Sequence, residues 1–432
     1  MIALWKWNLS QFRRRIWVPI AAYAALGVAT SIATWALKPL VPPDLPAKIG
    51  ADAVATILEI LASSMLAVTT FSLSIMTSAF GATASGATPR AITLLKDDRV
   101  TQRVLATFVG AFLFSLSGLI GLQTGIYEDR GRFILFLVTL AVLAAVVFQL
   151  VRWIGHLADY GRLTDTIARV ETATREALAQ RMAHPYLGGH PLSDSLAQDL
   201  AQRPAIRPRD TGYVQMIDME SLHALMESHK TDLAVTVLPG AFVHPGMAVA
   251  HLLGPGDLPE DLAPEILRRF VIAPTRSFDQ DPRFGVLTLT EIAARALSPA
   301  VNDPGTAIDI LGRQMRILTD WREREDATAQ WSRLFVAPLR LSDLMTDAFA
   351  SIGRDGAAMV EVQIRLHKML AGLAALSPGL FRDAALRQSD RALALAEVAL
   401  TLEEDRAVLR ELNRALHDLP AGTVAQARPR RA

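Results

Sequence analysis

Four apolar runs dominate the first third of the chain, from Ile16 to Leu37, Ala53 to Phe80, Val104 to Ile126 and Phe133 to Val151. Each is long enough to cross a bilayer as a helix, and together they predict a four-helix transmembrane domain over residues 1–155. The second run is not uniformly apolar. At 100° per residue, Thr56, Glu59, Ser63, Thr70, Ser74, Thr77 and Gly81 fall within roughly 40° of one meridian. A carboxylate and several hydroxyls are costly against hydrocarbon, so this side should face protein or water. Glu59, Ser63, Thr70, Ser74 and Thr77 are therefore candidate lining residues of a pathway for ions or small solutes, with Glu59 as its cation-attracting outer ring. Two plainer readings compete. Glu59 lies close enough to the end of its span to reach interfacial water, and Ser and Thr also bond neighbouring helices at packed interfaces.

Charge in the connecting segments orients the spans. Lys6, Arg13, Arg14 and Arg15 precede the first run without an acidic residue, Trp17 and Trp35 stand near its two ends, and Pro39, Pro42, Pro43 and Pro46 stop it. The loop after the second run sets Arg90, Lys96, Arg99 and Arg103 against Asp97 and Asp98, so both termini are expected in the cytoplasm. The third run carries Ser117, Gly121 and Gly125 at four-residue spacing, with Gly110 and Gly118 nearby. This small-residue register predicts a helix-packing seam, within the chain or between copies. Beyond the fourth run the period stays helical through Leu157, Tyr160, Leu163, Ile167, Val170, Leu178 and Met182. That pattern predicts a helical extension of the fourth span over 156–184, projecting roughly 40 Å at 1.5 Å per residue.

The period then changes. His190 to Asp210 reads as a loop, GYVQMID as a strand, MESLHALMESHK as a helix, and DLAVTVLPGAFVHPGMAVAHL as two or three strands broken at Pro239-Gly240 and Pro245-Gly246. The spacing of Val and Gly here is similar to the half-barrel of lipoyl and biotinyl carrier domains and efflux adaptors. Val243, His244 and Pro245 stand where a carrier lysine would be presented, so a compact barrel-like module without a swinging arm is expected within a β-rich segment, 185–284. VIAPTRSF should add a strand. Helices are expected near Glu260 to Phe270, Gly285 to Leu297, Pro304 to Arg324, Ser342 to Ile352, Ala357 to Leu376 and Arg382 to Leu416. The fold class is thus a membrane α-helical part plus a cytoplasmic α+β domain that ends in a helical part, 285–420, and a basic tail, 421–432.

Composition supports this division. The chain has 432 residues, 51% of them hydrophobic, and a mean hydropathy of +0.27, which is high for a wholly soluble protein. Ionisable residues are sparse between Ile16 and Val151 outside the connecting segments and dense after Arg152. A net charge of +1 argues against holding nucleic acid by phosphate neutralisation, and the absence of cysteine excludes disulfides, thiolate metal sites and cysteine nucleophiles.

The sharpest local motif is ARALSPAVNDPGTAIDIL. Asp303 before Pro304 is a helix start, with the carboxylate capping free N–H groups and proline at the first helical position. Ser298, Asn302 and Thr306 around that N-terminus make it a candidate anion site as well, for which Arg276 and Arg295 would be the cations. The nine histidines include no zinc spacing: His223 and His229 face different sides of one helix, and His244 and His251 flank a strand and turn. No metal or other cofactor is expected, and no nucleophile–base pair marks an enzyme.

The chain resembles a widespread bacterial family of inner-membrane proteins, domain of unknown function 2254. The likeness rests on FSLSIMTSAFGATASGATPRAITLLKDDRVTQRVLATFVGAFLFSL, on GYVQMID with LPGAFVHPG, and on FDQDPRFG running into ALSPAVNDPGTA. It implies a multi-pass bacterial inner-membrane protein with a cytoplasmic domain, and it supplies no substrate, reaction or cofactor. The expected partners are the lipid bilayer, further copies of the chain, and an ion or small solute. Two functional readings follow: an oligomeric channel gated or assembled by its cytoplasmic domain, and a membrane-anchored sensor or scaffold whose cytoplasmic domain binds a ligand or protein. An enzyme acting through the Asn302-Asp303 turn is the weakest third.

Overall fold

A computed structural model describes residues 51–420 apart from 97, 125–126, 128, 158–159, 255–258, 260 and 322–328, together with Ala21, Ala25 and Ala29. The first apolar run, apart from those three alanines, and the 421–432 tail lie outside the described residues, as does Gly125 of the expected packing seam. The described residues divide into two compact units, one ending at Thr166 and the other beginning at Ile167.

The first unit is helical: α1 (Ala51–Gly86), the short α2 (Ile92–Lys96), α3 (Arg99–Gln123) and α4 (Asp129–Leu157). Three of these contain stretches long and apolar enough to cross a membrane, namely Asp52–Ala84, Val100–Gln123 and Gly131–Leu157. Among the described residues the count is three rather than the four expected, because the first run is not among them. Their shared core joins Val54, Leu58, Leu61 and Met65 of α1 to Phe108, Ala111 and Phe114 of α3, and to Leu135, Val142, Val146 and Trp153 of α4. Trp153 Nε1 donates to Ser72 Oγ at 3.0 Å, both groups buried, which fixes α4 against α1. Outside this core the same helices expose large apolar side chains: Ile60 and Phe71 of α1, Ile120 of α3, Phe148, Val151 and Ile154 of α4. Water is a poor solvent for such a belt and hydrocarbon is a good one.

The expected continuous extension of the fourth span is broken. α4 stops at Leu157 and the next helix, α5 (Leu163–Ala183), starts afresh after Gly161. Gly161 has φ +79°, and a Cβ there would sit 2.6 Å from the Ala79 Cβ, so glycine both turns the chain and lets it pass close to α1. The apolar period ran on through Tyr160 because that side chain, within the break, is itself buried.

The second unit carries α5 from Ile167 onward, a two-sheet region and a helical end. After β1 (His190–Pro191), α6 (Asp194–Asp199) and β2 (Ala205–Ile206) come β3 (Gly212–Ile217), α7 (Met219–Ser228), β4 (Leu233–Val235), β5 (Phe242–Val243) and β6 (Ala250–Leu252). The segment expected as a loop, 190–210, thus holds two short strands and a helix. After α8 (Leu262–Leu267), β7 (Phe270–Ala273) is the strand expected from VIAPTRSF. The barrel-like module is corrected to two open sheets, one ordered β1-β8-β4-β6-β2 and one β5-β3-β7. The strand that spoils the barrel expectation is β8 (Leu334–Val336), which comes from the part expected to be helical and pairs parallel with the buried β4. Three-residue strands carry too little alternation to be recognised in sequence. Val214, Ile217, Leu222, Met226, Leu233, Val235, Phe270 and Val336 share one core beneath both sheets.

The helical part comprises α9 (Pro282–Ala296), α10 (Pro304–Leu318), α11 (Leu341–Asp355), α12 (Val360–Leu376), α13 (Pro378–Ala399) and α14 (Glu403–His417). The single helix expected from Arg382 to Leu416 is two, because Leu400 is extended and the chain folds back. Asn413 of α14 then donates to Ser389 Oγ at 2.9 Å and Asp390 Oδ1 at 2.8 Å on α13.

Two features lock α5 to this bundle. Gly285 of α9 lies so close to Thr174 of α5 that an added Cβ would fall 2.7 Å from the Thr174 Cβ. Glu171 accepts from Arg313 Nη1 at 2.7 Å and Arg316 Nε at 2.8 Å, bridging α5 to α10.

Candidate functional site

The polar stripe of α1 turns away from the helix's packed side. Val54, Leu58, Leu61, Met65 and Ser72 face the core of the first unit, whereas Glu59, Ser63, Thr70, Ser74 and Thr77 are all exposed. At 100° per residue the two sets lie on opposite sides of the helix, roughly 155° apart. The stripe runs roughly 27 Å from Glu59 to Thr77 at 1.5 Å per residue, close to the hydrocarbon thickness of a bilayer. Exposed apolar residues border it, Ile60 and Phe71 on one side and Leu66 and Leu73 on the other.

Local hydrogen bonding decides what this face offers. Ser63 Oγ donates to the Glu59 carbonyl at 2.9 Å, Thr70 Oγ1 to the Ala67 carbonyl at 2.9 Å, and Thr77 Oγ1 to the Leu73 carbonyl at 2.9 Å. With their protons directed back into the helix, these hydroxyls keep lone pairs for outside partners, so the stripe is a row of acceptors headed by a carboxylate.

The Asn302-Asp303 turn is built differently from an anion site. Asp303 accepts from Thr306 N at 3.0 Å and Thr306 Oγ1 at 2.6 Å, so its own carboxylate occupies the N-terminus of α10. Those two bonds hold the Asp303 carboxyl below the usual carboxylate range. Asn302 has φ +50°, a conformation asparagine tolerates, which lets Asp303 N donate to the Ala296 carbonyl at 2.8 Å as the chain turns out of α9. Ser298 Oγ donates to the Arg295 carbonyl. Arg276 is engaged at the opposite end of α9, roughly 20 Å along the helix at 1.5 Å per residue. There it pairs with buried Asp281 at 2.7 Å and lies over the Phe284 ring. Ser298, Asn302, Asp303 and Thr306 therefore form a capped turn, and Arg276 a separate ion pair.

The family profile for predicted membrane proteins designated DUF2254 matches residues 13–372. This chain belongs to the DUF2254 family. Curated relatives of this chain include uncharacterized proteins of Mycobacterium bovis and of Mycobacterium tuberculosis, each 28% identical over 229 residues. The match covers 50% of this chain and 42% of each relative, so less than half of the relatives' length is shared. No solved structure matches the chain.

The small residues of α3 pack inside the chain. Gly118 sits between Leu58 and Leu135, whose methyl carbons would lie 3.0 and 3.5 Å from an added Cβ, and Gly121 lies against the Tyr127 ring. Ser117 is partly buried and bonds the Leu113 carbonyl. Among the described residues no three His, Asp or Glu side chains converge as a metal cage. Sequence reasoning passed over Glu171 and Arg181 on α5, which occupy the same helix face as Ile167, Val170, Thr174 and Leu178 and are buried with them. A charge falling in the register of an apolar stripe is the signal that marks both.

Proposed function

We propose that this is a homo-oligomeric, non-enzymatic membrane protein in which the outward stripe of α1, contributed by several copies, lines a narrow pathway for cations. The α+β unit assembles or gates that pathway. The acceptor character of the stripe carries this reading: Ser63, Thr70 and Thr77 point lone pairs outward and Glu59 adds carboxyl oxygens, which is how cation pathways replace hydration oxygens. A few spans from one chain cannot enclose water, whereas a ring of copies can set one such helix each around an axis.

A chain without cysteine makes the test clean. Single replacements Thr70→Cys and Ser74→Cys should react with a membrane-impermeant, charged methanethiosulfonate reagent, because thiolate forms only where water reaches. Phe71→Cys, on the apolar border, should be spared. Cation flux into proteoliposomes should fall on modification, and Thr70→Leu and Ser74→Leu should abolish it while the protein remains folded. Unreactive thiols at both stripe positions would refute the pathway.

The same back-bonded hydroxyls favour a second reading, in which copies pair dry through this stripe and the spans anchor a ligand- or protein-binding α+β unit. Thiols at 70 and 74 that resist the reagent yet cross-link between copies would select it.

A further inference from the structure

A cavity of about 260 Å³ opens in the α+β unit between α5, the end of β3 with the start of α7, and the strand-side loop at Trp331. Arg181 of α5 forms part of its wall and is 5% exposed. Its Nη2 donates to the Gln280 carbonyl at 3.3 Å, and its Nη1 has no hydrogen-bond partner. A buried guanidinium short of acceptors is costly, because its N–H groups have lost water without replacement. Burial lowers the Arg181 pKa to about 10, opposed by the charge of Asp281. Asp281 does not relieve it by direct pairing, being held by Arg276 at 2.7 Å and by Phe284 N at 3.1 Å.

The other walls define what could meet this cation. Leu187, Met216, Ile217 and Trp331 are apolar or aromatic, and Gln180 and Gln330 bring amides to the rim. The acids nearby are engaged or outward: Asp218 accepts from Ser221 N at 3.1 Å and Ser221 Oγ at 2.7 Å, and Glu220 is exposed. We propose that this cavity binds a small organic anion, whose phosphate or carboxylate group is taken by Arg181 and whose planar apolar part lies against Trp331 and Leu187. The proposal stands apart from the pathway on α1.

Phenyl phosphate is the probe, titrated calorimetrically into the full-length protein in detergent, with inorganic phosphate and benzyl alcohol as partial probes. Saturable binding of phenyl phosphate is expected, about tenfold or more tighter than either part alone, since both the charge and the ring find partners. Arg181→Met, which keeps the side-chain bulk, should weaken it by about tenfold or more. Gln180 is exposed and its replacement leaves the core untouched, so Gln180→Glu should weaken and Gln180→Arg tighten phenyl phosphate binding without altering that of benzyl alcohol. The Gln180 pair decides the matter if Arg181→Met does not fold. No saturable binding at millimolar phenyl phosphate, equal binding of inorganic phosphate, or indifference to the charge at position 180 would each overturn the proposal.

Discussion

Replacing Gly285 by alanine should destabilise the α+β unit even though it improves the helix. In an exposed helix interior, Gly→Ala stabilises by about 1 kcal/mol through backbone entropy. At Gly285 the new Cβ would lie 2.7 Å from Thr174 Cβ and 2.9 Å from Thr174 Cγ2, and closer still to the hydroxyl. All three approaches are shorter than van der Waals contact, and the Thr174 side chain cannot swing away because its Oγ1 is bonded to the Val170 carbonyl at 2.6 Å in a buried setting. Overpacking of this kind costs about 1–3 kcal/mol and more when backbone must move, so the clash outweighs propensity and a net loss of about 2 kcal/mol is expected. For a unit of this size that lowers the melting temperature by roughly 4–8 °C. Gly312→Ala on α10 is the matched control, because nothing lies within 4 Å of its added Cβ. It should raise the melting temperature by roughly 2–4 °C. Thermal unfolding of the full-length protein in one detergent, followed by tryptophan fluorescence, reads both. Thr174→Ala should not rescue Gly285→Ala, since Thr174 Cβ is itself too close. A Gly285→Ala protein that melts at or above wild type would refute the close packing of α5 on α9.

Two further predictions concern charge. Glu171→Gln should destabilise by about 1–3 kcal/mol by removing the charged acceptor of Arg313 and Arg316, with Arg313 partly compensated by Asp309 at 2.7 Å. Burial opposes ionisation of Glu171, but the hydrogen bonds from Arg316 and Arg313 prevail and hold its pKa below 4.5, so its contribution is complete above that pH and disappears as acid titrates the folded carboxylate. His367 acts in a higher window. Burial lowers its pKa below 6.5 against hydrogen bonding of the ring N–H groups to the Gln363 and Ser389 backbone and against the charge of Asp390, so the unfolded chain takes up the proton first. Stability should be full above pH 6.5 and decline below it, and His367→Leu should remove that decline while leaving the Glu171 phase below pH 4.5. A wild-type stability curve flat between pH 5 and 6.5 would contradict the buried neutral imidazole.

Much of the architecture was legible because it is written in local pattern. Apolar length marked the spans now seen in α1, α3 and α4, the 3.6 period marked α9 through α13, and Asp303-Pro304 marked the start of α10 from capping chemistry alone. What escaped notice depends on partners distant in sequence. The break at Gly161 is dictated by the approach of Ala79, and β8 is a strand because β4 offers it a buried edge. The separation of Arg276 from the Asn302 turn is likewise a tertiary matter, since Arg276 pairs with Asp281 at the far end of α9.

The sequence by itself determined that α1 has one polar side, because residues on one helix face are fixed by spacing and helical twist. Only the tertiary structure decided that this side points outward, since that depends on where Leu58, Met65 and Ser72 find their packing partners in α3 and α4. The same division holds for α5. Its apolar register is a property of the chain, whereas the enclosure of Arg181 beside a cavity arises when α5, β3 and the Trp331 loop come together, and long-range burial alone can leave one guanidinium nitrogen, Nη1, without an acceptor.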